Sequence, residues 1–172
     1  MANIEEISPY PFSAFNFSVE INVPFLGPTL CNAAFAECDG LDMTMDVKTI
    51  REGGNNTQQI KLVGAVNYGQ LTLKRGMTSN FDLWDWFDAQ QHGSPAQLRK
   101  DLRADVDVVL MSREFSSKSK GERKELVRFI LKKCLLTKLK APALNAKDGM
   151  VAVEEMQITY ESMALKRPQG GG

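Results

Sequence analysis

The chain has 172 residues, a length that suits one domain with a substantial core and is short for two. Its 21 basic and 21 acidic residues cancel, so net charge provides no bulk attraction to nucleic acid or to an anionic membrane. The three cysteines are odd in number and lack the two-residue spacing of a zinc knuckle or redox motif, which indicates reduced packing residues.

Charge is unevenly divided along the sequence. Residues 1–86 hold 5 Lys/Arg and 10 Asp/Glu, a net of −5, whereas residues 87–172 hold 16 and 11, a net of +5. If the two segments lay at opposite ends of the globule, copies would attract one another head to tail and form open stacks. Charge alone favours a simpler interpretation, in which the two solvated faces never meet.

The first residues do not resemble a targeting segment. Residues 1–6 lack the basic region and apolar run of a secretory signal, and no uninterrupted apolar stretch approaches the length of a membrane span. We therefore expect no signal peptide, synthesis in the cytoplasm and no membrane insertion by the protein itself. We also expect a single domain over residues 1–172, with a flexible tail at about residues 167–172.

Alternation of apolar and polar residues predicts strands in the first half of the chain. Residues 15–23 have the period of a strand with one buried and one wet face, and residues 41–48 alternate in the same way, with a distinctly polar outer row. The sequence Gly-Gly-Asn-Asn at 53–56 breaks this pattern before it resumes at 60–63, which predicts a hairpin or an extended loop. Residues 70–75 predict another short strand.

The period changes to that of a helix after residue 78. Ser79 is positioned to cap this helix, with Asp82 as the acidic member of a capping box. The helix is predicted over residues 81–91, before a glycine and a proline. Its apolar residues do not fit one narrow stripe, so we expect it to bury much of its circumference. The aromatic residues predicted to pack are Phe81, Trp84, Trp86 and Phe87.

The second half predicts further strands. Residues 105–110 alternate, and residues 116–124 predict a flexible polar loop. Residues 126–136 carry apolar side chains in both phases; propensity would also suit a helix, but we interpret them as a strand covered on both faces. A phase change near Glu154 predicts a β-bulge. Many strands, one helix and no fixed-period repeat favour a β-sandwich or barrel with a helix packed against it.

Catalytic and ligand-binding hypotheses are weak. The single histidine, His92, lies in a polar turn and is interpreted as exposed. No nucleophile elbow and no phosphate-binding glycine motif occurs. Two acidic groups lack the glycine and spacing of an EF-hand loop: Asp101, Asp105 and Asp107, and the pair Asp39 and Asp42. We therefore expect no catalytic residue, no metal and no cofactor.

A basic stretch is the main argument for nucleic-acid binding. Residues 113–140 hold 10 Lys/Arg and 3 Asp/Glu. Phe115 and Phe129 are the only aromatic residues in the stretch and Phe129 is expected to be buried, so no platform for stacking bases is apparent. A solvated strand and loop is favoured; any contact with phosphate would weaken steeply with salt.

Five short blocks carry a resemblance to one protein family. They are residues 35–41 (FAECDGL), 50–56 (IREGGNN), 71–76 (LTLKRG), 83–87 (LWDWF) and 151–155 (VAVEE). Their order and spacing resemble the tail-tube family of contractile phages and phage-derived injection systems, whose subunits are distant relatives of the Hcp tube of type VI secretion. The likeness extends from about residue 12 to residue 163 and so covers nearly the whole chain.

The resemblance implies both a fold and an assembly. The fold would be mainly β, an α+β protein built as a small antiparallel β-barrel or two-sheet sandwich with one flanking helix and an extended inter-subunit loop. Subunits would form hexameric rings, stacked into a hollow tube inside a contractile sheath and assembled in the bacterial cytoplasm. The implied partners are further copies of the chain, sheath, baseplate and cap proteins, and cargo protein or DNA in the lumen.

The resemblance also implies where subunits touch. Inter-subunit contacts are expected at two segments, which comprise Ile50, Arg51, Glu52, Gly53, Gly54, Asn55, Asn56, Lys74 and Arg75. A polar row is expected to face the lumen and let cargo slide: Asp42, Thr44, Asp46 and Lys48. An injection particle is favoured over an infective phage tail that conducts DNA. A soluble β-barrel binding module and a tail-terminator or sheath-adaptor role remain alternatives.

Overall fold

In a computed structural model, the chain is described at residues 12–24, 27–31, 35–51, 53–54, 58–92, 102–115, 123–145, 147, 149 and 151–167. Within these residues it forms ten strands and one helix. In chain order they are β1 (Phe17–Val23), β2 (Gly27–Cys31), β3 (Glu37–Asp39), β4 (Met43–Ile50), β5 (Ile60–Tyr68), β6 (Gln70–Gly76), α1 (Asp82–His92), β7 (Ala104–Phe115), β8 (Arg123–Lys140), β9 (Val153–Thr159) and β10 (Ser162–Lys166).

Two antiparallel sheets share one long strand, β8. The first sheet has the order β2-β1-β7-β8-β10, and the second has the order β3-β6-β9-β8. Among the described strands, β2 and β3 are the two ends of the connected order and do not pair with each other, so the barrel is not closed. The prediction of a mainly β protein with one helix is confirmed, and the sandwich is the form it takes.

The strand β8 changes sheets at Lys133. Residues before this point pair with β10 as far as Lys132↔Ser162, whereas pairing with β9 begins at Leu135↔Thr159. Lys133 has a φ of 55°, in the left-handed region that non-glycine residues rarely adopt and that costs roughly 1–2 kcal/mol. The strained residue turns the strand from one sheet into the other.

Inward-facing side chains from both sheets form one core. Alternate residues of each strand contribute to it, as period-two patterning requires. The fully buried members include Val19, Ile21, Val106 and Leu131 from the first sheet and Leu71, Leu73, Met156 and Ile158 from the second sheet. Each such side chain contributes about 1.5–3 kcal/mol through burial.

Helix α1 packs on this core through most of its length. Leu83 and Trp86 are fully buried, and the Trp86 indole donates a hydrogen bond of 3.2 Å to the Leu102 carbonyl oxygen. Phe81 is 53% exposed. Four positions of the helix are exposed, Asp85, Asp88, Gln91 and His92, and the other seven are buried or half-buried, so the prediction that the helix buries much of its circumference is confirmed. The prediction that Phe81 packs is wrong, because this residue precedes the helix and is exposed.

The helix also begins differently from the prediction. The Asn80 side-chain oxygen accepts a hydrogen bond of 3.0 Å from the backbone nitrogen of Asp82, and the Phe81 carbonyl accepts the first helical bonds. Asn80 therefore takes the capping role predicted for Ser79, since its amide oxygen reaches the free donor two residues ahead.

The predicted bulge in β9 is absent. The pairing of β6 with β9 runs without interruption from Gln70↔Thr159 to Gly76↔Val153. The phase change arises because Glu154 occupies an inward position that a hydrophobic residue would ordinarily fill. The irregularity lies on β8 instead, between Leu136 and Lys138.

The positions of the remaining predicted strands are confirmed, including residues 126–136 as part of β8. The prediction that this run is covered on both faces is wrong for its second half, where Lys132, Lys133 and Leu135 are exposed. The predicted polar loop lies outside the described residues except for its last two positions, which belong to β8. Of the predicted tail, only residue 167 is described.

Candidate functional site

Strands β4 and β5 form a two-stranded hairpin that belongs to neither sheet; we call it the arm. Its pairing runs from Met43↔Tyr68 at the base to Ile50↔Ile60 near the tip. A two-stranded hairpin is marginally stable in water without further support. The arm therefore has the form of an element that is completed by contact with another molecule.

One face of the arm is apolar and exposed. The register places five apolar side chains on this face: Met43, Met45, Val47, Val63 and Val66. Their exposed fractions are 58%, 53%, 59%, 79% and 40%. The apolar row of β4 was predicted to be buried, and within the subunit it is not. Contiguous exposed apolar surface of this kind marks an interaction site.

The opposite face of the arm is polar near its base. Thr44, Asp46 and Lys48 alternate with the apolar row and lie on this second face. The Asn67 side chain donates a hydrogen bond of 3.2 Å to Asp46 Oδ2. Asp42, the fourth predicted lumen residue, precedes β4 and lies against Gly69. Thr44, Asp46 and Lys48 therefore form an exposed polar row, and the position of this row in a lumen stays a prediction.

The tip of the arm holds the main predicted contact segment. Ile50, Arg51, Gly53 and Gly54 are all exposed. Gly54 has a φ of 96°, whereas Gly53 does not adopt a positive φ. The other three predicted contact residues of this loop, Glu52, Asn55 and Asn56, lie outside the described residues.

The two basic residues of β6 have different environments. Lys74 lies on the outer face, where its Nζ is 2.6 Å from Glu37 Oε2, and this hydrogen bond raises the pKa of the lysine. Arg75 is 2% exposed and forms an ion pair with the equally buried Glu154. Because the Arg75 side chain is held inside the subunit, it does not offer the surface contact predicted for it.

The buried ion pair links three elements. Arg75 Nη2 donates a hydrogen bond of 3.0 Å to the Asn80 carbonyl, and Trp84 Nε1 donates one of 3.2 Å to Glu154 Oε2. Strand β6, strand β9 and the start of α1 are thereby joined at one point. A buried charge pair of this kind tolerates loss of neither partner.

The base of the arm is attached to the core by Tyr160. Its hydroxyl oxygen lies 3.0 Å from the carbonyl oxygens of both Gly40 and Asp42, the residues that lead into β4. Its ring packs against Tyr68 at the other side of the base, with ring centroids 5.6 Å apart. Burial raises the pKa of the Tyr160 hydroxyl above its ordinary value, so the group keeps its proton and remains a donor at neutral pH.

Replacing Tyr160 by phenylalanine is expected to lower the free energy of unfolding by about 1 kcal/mol, because two carbonyl groups lose their shared donor. Urea denaturation followed by tryptophan fluorescence measures this change. Tyr68→Phe is the matched control, since it removes a hydroxyl from the other ring of the same pair, and it is expected to change stability by less than about 0.5 kcal/mol. Equal losses in the two variants would contradict the assignment of Tyr160 as the anchor.

In the described part of the basic stretch, several basic side chains form ion pairs within the subunit. Arg128 contacts Glu20 at 2.9 Å and Asp107 at 2.7 Å, and Lys132 contacts Asp105 at 2.7 Å. Hydrogen bonds to carboxylates, first that of Glu125, raise the pKa of Arg128. These acidic neighbours also oppose contact with a phosphate backbone, which leaves the nucleic-acid hypothesis without a continuous basic surface on this strand.

The remaining candidate ligands are dispersed. Among the described residues, no three His, Cys, Asp or Glu side chains group closely enough to hold a metal ion. His92 ends helix α1, exposed, with Nδ1 2.9 Å from Asp88 Oδ1. Burial raises the pKa of Cys38 to about 11 and that of Cys134 to about 12, which makes both thiols poor nucleophiles. Within the described part of the chain, no helix combines the length and apolar character needed to cross a membrane.

Comparison with known families decides what kind of protein carries this arm. The profile of the family described as T4-like virus tail tube protein gp19 matches residues 13–164. The chain belongs to this tail-tube family. No curated protein matches the sequence of this tail-tube protein.

Solved structures share the fold of the tail-tube protein. A chain in the six-fold symmetrised cryo-EM structure of the anti-feeding prophage baseplate is 21% identical, with a TM-score of 0.76 over 94% of this chain and 99% of that one. A chain in the extended sheath–tube complex of an extracellular contractile injection system, PVC, is 19% identical, with a TM-score of 0.70 over 92% and 93%. A chain of the anti-feeding prophage tube-terminating cap is 21% identical, with a TM-score of 0.70 over 97% and 99%.

Sequence reasoning missed several residues that define the site. Leu83 is buried between the predicted aromatic residues of α1, and its place in the apolar pattern could have shown it. Val63 and Val66 complete the apolar face of the arm, and their strand was predicted only as far as residue 63. Tyr160 and Gly40 meet across 120 positions, and no local pattern signals that contact.

Proposed function

We propose that this tail-tube protein is a structural subunit of the inner tube of a contractile, phage tail-like injection system. Six copies form a ring, and stacked rings enclose a hollow lumen through which cargo passes. The observation that carries the proposal is the arm, whose apolar face is exposed in the isolated subunit. Membership of the tail-tube family supports a second copy of the chain as the molecule that covers this face.

The arm is suited to join subunits. Its apolar face is half-exposed or more at four of its five positions, and covering each side chain contributes roughly 1 kcal/mol. A two-stranded hairpin is marginally stable by itself, so covering several of these side chains adds free energy that favours its docked conformation. We propose that the tip joins the same interface through Ile50, Arg51, Glu52, Gly53, Gly54, Asn55 and Asn56, with Lys74 at a second contact.

The polar face of the arm is suited to a channel wall. When the apolar face lies against a neighbouring copy, Thr44, Asp46 and Lys48 remain in water on the other side. A lumen lined by small polar and charged groups holds cargo weakly and so lets it slide. The protein acts as a wall and carries out no chemistry.

The similar structures suggest the surroundings of the tube. They are assemblies that contain baseplate, sheath and cap, and one is six-fold symmetrised. We propose corresponding partners for this chain: a sheath outside the tube, a baseplate at one end and a cap at the other. Assembly takes place in the bacterial cytoplasm, with no insertion of the subunit into a membrane.

The test is assembly of the purified protein, followed by negative-stain electron microscopy and light scattering over a range of concentrations. We expect six-fold rings or hollow tubes of uniform width. A variant with Val47→Asp and Val63→Asp is expected to stay monomeric with an unchanged circular dichroism spectrum, because two carboxylates cannot be buried against an apolar partner without a large cost.

Thr44→Asp is the matched control, since it adds the same group to the opposite face of the same strand. It is expected to assemble like the parent protein. Normal tubes from the Val47 and Val63 variant would overturn the role of the arm. A parent protein that stays monomeric at every concentration, alone and when co-expressed with its flanking genes, would overturn the proposed function.

A further inference from the structure

We propose that Met43 and Met45 on the arm form an oxidation-sensitive site, at which conversion of the two thioethers to sulfoxides blocks assembly of the free subunit. This inference rests on the proposed function, in which a second copy covers the apolar face of the arm. It adds a chemical condition to assembly, because the sulfur atoms of both side chains must be in the thioether form when subunits meet.

The two methionines occupy the half of the apolar face nearest the base of the arm. They are 58% and 53% exposed, and the register places Met43 opposite Tyr68 and Met45 opposite Val66. Residues two positions apart on a strand project from the same face, about 7 Å apart along it. The other members of the face are valines, which contain no sulfur. Oxidation therefore alters the base half of the face and leaves the rest of it apolar.

The other described methionines lie in different environments. Met156 is 2% exposed inside the core, where an oxidant reaches it only when the subunit opens. Met111 and Met163 are half-buried. Met77 is 40% exposed and follows the end of β6 that is remote from the arm. The arm methionines are therefore the most exposed thioethers in the described part of the chain, and they lie on the face proposed to be covered.

The chemical step is the transfer of one oxygen atom from a hydroperoxide to the thioether sulfur. With hydrogen peroxide, the sulfur lone pair attacks one peroxide oxygen and the O–O bond breaks. The leaving hydroxide takes the proton from the transferred oxygen and becomes water. The sulfur is oxidised to a sulfoxide by the same electron pair that reduces the peroxide. Methionine sulfoxide reductases reverse this change, so the modification is reversible in a cell.

The described thiols compete poorly for the oxidant. Burial raises the pKa of Cys38 to about 11 and that of Cys134 to about 12, so few of these groups are thiolates at neutral pH. A thioether has no proton to lose, and its oxidation does not depend on such an equilibrium. Exposure therefore decides which of these sulfur atoms react first, and it favours the arm.

Oxidation of the arm changes the interface and spares the fold. Neither Met43 nor Met45 belongs to the core cluster, so their sulfoxides form at the surface of a folded subunit. A sulfoxide oxygen accepts hydrogen bonds from water. When an apolar partner covers the face, those bonds are lost and the partner supplies no donor, so association becomes less favourable.

The same contact protects a finished tube. Once a neighbouring copy covers the apolar face, the oxidant no longer reaches the two sulfur atoms. The site therefore acts on free subunits and not on the assembled wall. Assembly then requires reducing conditions, whereas the completed tube persists in an oxidising environment.

The experiment exposes the full chain to hydrogen peroxide, below the concentration at which tubes form. Peptide mass spectrometry is expected to show oxygen added to Met43 and Met45 before Met156. After the peroxide is removed, the lowest concentration at which tubes form is expected to rise about tenfold or more, as measured by light scattering and electron microscopy. Treatment with reductases for both sulfoxide epimers is expected to restore the original value, and circular dichroism checks that the oxidised protein remains folded.

Two leucine variants identify the sulfur atoms responsible. Met43→Leu with Met45→Leu keeps the face apolar and similar in volume. This variant is expected to assemble like the parent protein and to stay within about threefold of it after peroxide treatment. Met77→Leu is the matched control, since it removes an exposed sulfur outside the arm, and its assembly is expected to remain sensitive to peroxide.

Normal tube formation by the parent protein after both arm methionines are oxidised would overturn this inference and leave the proposed function intact. An equal loss of assembly in the oxidised double leucine variant would also overturn it, because the damaging oxidation would then lie elsewhere in the chain. Failure of the untreated parent protein to form tubes is the outcome that overturns the proposed function, and this inference falls with it.

Discussion

Replacing Glu154 by alanine is expected to lower the free energy of unfolding by about 3–5 kcal/mol, the largest effect of any single truncation proposed for this subunit. The carboxylate is buried with Arg75 and also accepts a hydrogen bond from Trp84. Its removal leaves the Arg75 guanidinium inside the sandwich without the carboxylate that balances its charge. An uncompensated buried charge costs far more than the lost contact itself.

Chemical denaturation of the monomeric protein measures this loss. Glu155→Ala is the matched control, because the neighbouring carboxylate points outward and pairs with Lys138 at 3.6 Å; it is expected to cost less than about 1 kcal/mol. Replacing both partners, as Arg75→Met with Glu154→Met, is expected to recover much of the stability, because no charge then remains buried. A Glu154→Ala protein as stable as the control would show that the pair is not energetically coupled to the core.

Replacing Gly40 by alanine is expected to destabilise the subunit by about 2–5 kcal/mol and to displace the arm. Gly40 has a φ of 89°, and an added Cβ would lie 1.8 Å from the Gln70 carbonyl oxygen and 2.8 Å from its carbonyl carbon. Both are backbone atoms of β6, so relief requires movement of the strand or of the residues leading into the arm. Because Tyr160 holds the same backbone, its hydrogen bonds are lost as well.

Gly54→Ala separates the two causes of this effect. Gly54 has a similar φ of 96°, but no heavy atom lies within 4 Å of an added Cβ. The expected cost is the backbone strain alone, about 1 kcal/mol, at the tip of the arm. Urea denaturation gives the stabilities of both variants, and assembly assays report the position of the arm. Similar losses of stability at the two glycines would show that the close approach to Gln70 is not the main cause of the destabilisation.

The parts of the fold that sequence predicts well are those in which a strand is half-buried by its own subunit. The alternation in β1 and β6 predicts their inward residues, among them Ile21 and Leu71, because burial within one sheet follows period two. The long apolar run in β8 has apolar residues in both phases of the alternation. Its first half pairs with β10 in one sheet and its second half pairs with β9 in the other.

The parts that sequence predicts badly depend on residues far away in the chain. The phase change at Glu154 indicates a bulge only because its partner, Arg75, lies 79 positions earlier. The alternation in β4 predicts two distinct faces, but not whether Met45 is covered by the subunit or by another copy. The alternation of residues shows that one face of a strand is apolar, but it does not show which molecule covers that face.

The shared strand β8 has a mechanical consequence. It forms hydrogen bonds with β7 and β10 in one sheet and with β9 in the other, so the two sheets cannot separate unless β8 loses its pairing with one of them. The sandwich is therefore expected to resist and transmit load as one body, while the arm, with its own pairing, bends at its base. A tube wall made of such subunits would be stiff within each sandwich and more easily deformed where the arms connect neighbouring subunits.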